Sequence, residues 1–215
     1  MTTNAHDNTV EVIERKQVYH HPFLNVTEAR LRYRRADGQM SDEVTRLVVQ
    51  HSDAVGVLAY DPQADVVVLV RQFRYPVYSR LHAQASNSAA AWLLEIVAGL
   101  LDGDQSAEET ARRELREEIG YEVTGALEQI ATVYSSPGSL AEQITLFIAE
   151  VDTTAQHGHG GGLAEEGEDT ELVKLPVDEA LAMLARGDVR DAKTVIALQS
   201  LALRRAGDNN GQARR

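Results

Sequence analysis

Cysteine is absent from all 215 residues, so neither a disulfide nor a thiolate metal site can form. Also missing is any run of about 18 apolar residues, which excludes a membrane-spanning helix. The opening stretch MTTNAHDNTVEVIERK lacks the apolar segment that a secretory signal requires. These absences read together as a cytoplasmic protein with no membrane partner. Cationic runs are scarce as well: 21 lysines and arginines face 33 acids, for a net charge of −12. That balance repels a nucleic-acid backbone, so no nucleic-acid partner is expected. An anionic substrate would need metal cations and a few placed arginines to offset the field.

What is present suffices for an ordinary core, with 43% hydrophobic and 25% charged residues. The length fits one domain, or a domain with a modest extra element. Residues 9–35 alternate apolar and polar, the period of half-buried strands. ADGQ at 36–39 reads as a turn. Strands are expected at 44–51, 54–60 and 65–73, the last two joined by DPQAD as a hairpin. Residues 75–91 read as irregular, followed by the apolar strand WLLEIV at 92–97. Further strands are expected at 143–151 and 171–176, and helices near 177–186 and 190–206, with Gly187 and Gly207 as their stops. The tail DNNGQARR reads as disordered. The expected division is an N-terminal β element at 1–43, a main domain at 44–207 and a tail at 208–215.

Acids crowd the segment from Asp104 to Glu122, where seven face three arginines. Ser106 stands three residues before Glu109, a capping-box spacing that opens a helix reaching Ile119, with Gly120 as its stop. Glu114, Glu117 and Glu118 fall at i, i+3 and i+4, so their carboxylates share one face and repel each other. Pairs Glu108–Arg112 and Glu109–Arg113 are expected to compensate in part. A solvated surface helix is the plain reading of such a run. A hard divalent cation is the alternative, because Mg²⁺ takes several oxygen ligands from carboxylates, waters and phosphates. Gly99, just upstream, would let the backbone approach that cation closely. His157 and His159, in a glycine-rich loop without a third ligand, read as exposed. Trp92 reads as a packing residue.

From Gly99 to Tyr121 the pattern G-x5-Q-x7-REL-R-EE-IG-Y resembles the Nudix box, G-x5-E-x7-RE-U-x-EE-x-G-U with U a bulky aliphatic. Gln105 stands where that family has glutamate and Tyr121 where it has an aliphatic residue. The order of expected strands and helices suggests an α/β fold, an α/β/α sandwich whose first two strands form a small N-terminal antiparallel β element, and the resemblance implies its Nudix form with a mixed sheet. Pro137, sixteen residues after Tyr121, is similar to the proline of enzymes acting on nucleoside-diphosphate sugars. RQFRYPVY (71–78), LLEIVAGLLD (93–102), GGGLAEEGEDTELVKLP (160–176) and GDVRDAKTVIALQ (187–199) resemble bacterial GDP-mannose pyrophosphatases. VVQHSDAVGV looks more like the ADP-ribose branch.

Carried across by position, the resemblance implies Mg²⁺ as cofactor, with Mn²⁺ a substitute. The Ala98 carbonyl, Glu114, Glu118 and Glu168 would hold the metal. Glu117 would support the cluster, and Glu166 or Glu168 would act as base. Arg74 would contact the diphosphate. Arg46, Glu142, Lys193 and the main chain at Ala98, Gly99 and Leu100 would bind the rest of a nucleoside-diphosphate-sugar substrate. Relatives of this type are homodimers, so a homodimer is expected. Two other readings stand beside this one: an inactive Nudix-fold sensor of nucleotide sugars, and a Nudix hydrolase of another nucleotide class.

Overall fold

The computed structural model describes residues 9–81, 88–158, 160–162 and 170–212. Contacts divide them into two compact units. One runs up to Ser52 and takes in Ser136–Glu142; the other comprises Asp53–Ser135 and the chain from Gln143 onward.

The first unit is a three-stranded antiparallel sheet of β1 (Val10–His21), β2 (Leu24–Tyr33) and β3 (Val44–Gln50). The expected turn after β2 forms, with Gly38 at φ 81°, a conformation glycine adopts without steric cost. Register shifts interrupt β1 at Val12/Glu14 and Gln17/Tyr19. All twelve residues of β1 are exposed. The 136–142 segment joins this unit through Val49, which donates to the Ser139 carbonyl at 2.7 Å and accepts from the Ala141 N–H at 3.1 Å.

The second unit is built on a seven-stranded mixed sheet. Its strands are β4 (Ala54–Asp61), β5 (Val66–Phe73), β6 (Trp92–Glu95), β7 (Val97–Leu100), β8 (Val123–Tyr134), β9 (Gln143–Val151) and β10 (Thr170–Pro176). The order is β10-β5-β4-β9-β8, with β6 on β5 and β7 on β4. The β4–β9 pair is parallel. The acidic helix α2 (Ala107–Glu114), with the turn that follows it, covers one face of this sheet. Its Ala111, Leu115 and Ile119 pack on Val55, Val57, Val70 and Phe147. Helices α3 (Val177–Arg186) and α4 (Ala192–Gln212) cover the other face, where Val177, Ala197 and Leu201 meet Leu58, Leu69 and Ile148. Both faces are covered, which explains why β4 is buried almost throughout rather than alternating. This is the α/β/α sandwich implied by the sequence.

Four expectations need correction. Residues 75–91 are not all irregular: Tyr75–Leu81 form helix α1 and Ser88–Ala91 a 3₁₀ turn. β8 has no counterpart in the sequence reading, because Gly125 and its register shifts break the alternation. The apolar stretch at 92–97 splits at Ile96, passing from β5 as partner to β4. Helix α4 runs through Gly207 to Gln212. Glycine inside a helix costs only about 1 kcal/mol relative to alanine. The turns before it are anchored by buried Leu198 and Leu201, and by Arg204 on Glu128 at 3.0 Å.

Candidate active site

Helix α2 is defined at both ends by its own sequence. The Ser106 hydroxyl accepts the Glu109 N–H at 3.3 Å, and the Glu109 carboxylate takes the Ser106 N–H at 2.8 Å, completing the capping box. Gly120 closes the far end at φ 72°. The last turn, Leu115–Ile119, widens into a π-helix, a distortion frequent at functional sites.

Because Glu109 turns back to Ser106, the expected Glu109–Arg113 pair gives way to a different arrangement. Arg113 turns to the acids of the shared face. Its Nη1 lies 2.8 Å from Glu114 Oε1 and donates to Glu117 Oε2 at 2.9 Å. Its Nε donates to Gln105 Oε1 at 3.4 Å. Burial pulls the Arg113 pKa down, but the Glu114 charge and the Glu117 hydrogen bond outweigh it and raise it overall.

Glu114 and Glu118 are only 8% and 4% exposed, although a buried carboxylate is costly unless something compensates it. Gly99 of β7 lies directly against Glu114. A Cβ there would come within 1.9 Å of Glu114 Oε1, so only glycine allows this approach. Two buried carboxylates beside an exposed strand end are the kind of hard oxygen donors that a divalent cation takes, its shell completed by waters and phosphate oxygens. Among the described residues no three acidic or histidine side chains gather into a fuller cluster. The acids expected to add to the set, Glu166 and Glu168, lie outside the described residues, as does His159. The stems of their loop do sit on the last turn of the acidic helix. Gly161 N–H donates to the Glu118 carbonyl and His157 N–H to the Gly120 carbonyl, each at 2.8 Å.

The NUDIX domain family matches residues 50–198, which include this entire helix and the glycine before it. The chain belongs to the Nudix family. It is 36% identical over 196 residues to the ADP-ribose pyrophosphatase of Escherichia coli K12, covering 91% of this chain and 89% of that protein. It is 35% identical over 195 residues to the GDP-mannose pyrophosphatase of Pectobacterium atrosepticum, covering 91% and 95%. With the GDP-mannose pyrophosphatase of Cronobacter sakazakii the identity is 39% over 170 residues, covering 79% and 83%. The protein is a Nudix hydrolase.

A second charged cluster of this Nudix domain centres on Glu95, which the sequence reading left unassigned. Glu95 is 1% exposed. Arg74, in the step from β5 to α1, grips it with Nε at 2.7 Å and Nη2 at 2.8 Å. Lys193, at the start of α4, also donates to Glu95 and lies 3.0 Å from Asp191. Desolvation pushes the Glu95 pKa up, yet the Arg74 hydrogen bonds and the Lys193 charge bring it below the ordinary carboxylate value. The sequence signal was one acid inside the apolar run WLLEIV, since unpaired acids are almost never fully buried.

The structure thus brings Arg74, Lys193, Ala98, Gly99, Leu100, Glu114, Glu117 and Glu118 into one unit. Arg46 and Glu142 belong to the other. There Arg46 is exposed and lines a cleft of about 400 Å³ with Arg15, Thr27 and Gln50. Glu142 lies 3.5 Å from His51.

Proposed function

We propose that this Nudix hydrolase cleaves the diphosphate bond of nucleoside-diphosphate sugars with a bound divalent metal, Mg²⁺ or Mn²⁺. The observation that carries this reading is the pair of buried carboxylates, Glu114 and Glu118, against the glycine backbone of β7. The relatives' names support two candidate substrates. Water would add across ADP-ribose to give AMP and ribose 5-phosphate, or across GDP-mannose to give GMP and mannose 1-phosphate.

Glu114, Glu118 and the Ala98 carbonyl would hold the metal, with Glu168 as a further ligand. When bound, the metal supplies charge neutralisation at the phosphoryl oxygens and a more acidic water. Arg113 ties Glu114 and Glu117 together and limits their mutual repulsion. Glu166 or Glu168 takes the proton of the attacking water, a contribution of about 10²–10⁴-fold for a positioned base. Arg74 binds the diphosphate. Lys193 and the main chain of Ala98–Leu100 complete the substrate contacts on this unit. Arg46 and Glu142 are assigned to the substrate on the sequence resemblance alone. We also propose a homodimer formed through the first sheet, whose outer strand β1 leaves Val10, Val12, Ile13 and Tyr19 exposed.

The decisive experiment is a screen of ADP-ribose, GDP-mannose, ADP-glucose and UDP-sugars with Mg²⁺, reading release of nucleoside monophosphate. Turnover of ADP-ribose or GDP-mannose well above the others supports the reading. No turnover of any of them refutes it.

A further inference from the structure

Arg74 and Lys193 come from opposite ends of the second unit's sequence, yet both end on the same carboxylate. That carboxylate is held from behind. The strand breaks at Ile96, between β6 and β7, and the Ile96 N–H donates to the Thr194 hydroxyl oxygen at 2.8 Å. Thr194 donates its own hydroxyl and N–H to Asp191 Oδ2, at 2.6 and 3.0 Å, and Asp191 Oδ1 holds Lys193. The break in the strand is thereby bolted to the first turn of α4, and the residue just before it is Glu95. A lone ion pair needed only for stability would leave the arginine's remaining face without consequence. Here the two nitrogens that face Glu95 are Nε and Nη2, so planar guanidinium geometry directs Nη1 away from that carboxylate. The Arg74 side chain stays 40% exposed while that of Glu95 is 2% exposed. The Arg74 pKa is raised first by its Glu95 hydrogen bonds and then by the charges of Glu95, Asp191 and Glu118, with burial opposing them.

We infer that Glu95 is a positioning residue: it fixes the Arg74 guanidinium, together with the Lys193 ammonium, so that Arg74 offers Nη1 to a phosphoryl oxygen beside the acidic helix. This rests on the reading of Arg74 as a diphosphate contact. An arginine on a free side chain would have to be ordered by the substrate at an entropic cost to binding. Clamped on two of its nitrogens, it is preorganised before the substrate arrives. Glu95 itself touches no reacting atom.

The test uses full-length Glu95→Gln, Glu95→Asp, Arg74→Lys and the Glu95→Gln/Arg74→Lys pair. Steady-state kinetics with Mg²⁺ are combined with calorimetric binding of a methylene-bridged, non-hydrolysable nucleotide sugar. The analogue copies whichever of ADP-ribose and GDP-mannose the wild type cleaves faster, or ADP-ribose if it cleaves neither. In Glu95→Gln, KM and analogue Kd should rise about tenfold or more while kcat falls less than about threefold. Glu95→Asp should recover part of the affinity, and the double variant should lose no more than its worse single parent, because the two groups act as one unit. Should Glu95→Gln fail to fold, Glu95→Asp and Arg74→Lys decide by the same readouts. Unchanged KM and Kd with only a lowered melting temperature would reduce Glu95 to a packing role and overturn the inference, as would losses that multiply in the double variant. A wild type that binds the analogue but cleaves nothing refutes the proposed function and leaves Glu95 to be judged by Kd. One that does neither refutes both.

Discussion

Glu118 and Gly99 carry opposite kinds of information. Glu118 is a charged group whose burial is costly unless charges or hydrogen bonds offset it. Glu118→Gln keeps the shape and removes the charge. Turnover should fall about 10³-fold or more, as when a group at a transition-state charge is removed, with the far-ultraviolet spectrum and melting temperature of the wild type kept. Full activity in that variant would refute the metal assignment. Gly99 acts through the atom it lacks. Gly99→Ala sets a methyl against the Glu114 side chain, which must swing aside because it is more mobile than the strand. Mn²⁺ affinity measured by electron spin resonance should weaken about tenfold, since ligand geometry limits metal affinity, while the protein still folds. Glu114, Glu117, Glu118 and Gly99 were readable from spacing along the chain. The clamp on Glu95 was not, because Arg74, Glu95 and Lys193 are brought together only by β5, β6 and α4.

Elements with strong local signals form where the sequence puts them. The capping box opens α2, Gly120 and Gly187 close their helices, and β9 occupies its expected residues. The hairpin DPQAD also forms, around a buried acid. Asp61 Oδ1 accepts the N–H groups of Gln63 and Ala64, and Oδ2 those of Thr153, N–H and hydroxyl, at 2.6–3.0 Å. Desolvation pushes its pKa up, but these hydrogen bonds outweigh that and lower it from 3.8 to about 2. A depressed carboxylate pKa stabilises the fold above the unfolded value and loses that contribution as pH falls through the folded one. The wild type should therefore lose stability between about pH 4 and pH 2; Glu95 acts in the same direction. Asp61→Asn should cost about 2 kcal/mol at pH 7, as for hydrogen bonds to a charged group, and lose less over that acid range. Urea unfolding at each pH checks both. The elements that the sequence hid, α1 and β8, have weak local patterns. α1 has no buried residue, so it carries no helical apolar stripe, and β8 is broken by its bulges.

At the scale of the molecule, the first sheet poses the main physical question. Strand β1 is exposed along its whole length and presents several large apolar side chains, the kind of edge that proteins cover or blunt. Sedimentation at micromolar concentration should give a dimer, and a charged substitution such as Val12→Glu should shift it toward monomer; a monomeric wild type would refute the proposal. No helix among the described residues is long and apolar enough to cross a membrane. The chain alone determined the family, the acidic helix with its caps, and the three glutamates of one helical face, because these depend on spacings within a few turns. The tertiary structure decided that β3 joins the first sheet, that the apolar stretch at 92–97 changes partner at Ile96, and that Glu95 gathers two distant cations. Those outcomes depend on strand pairing and on burial between segments far apart in sequence, where no local period records them.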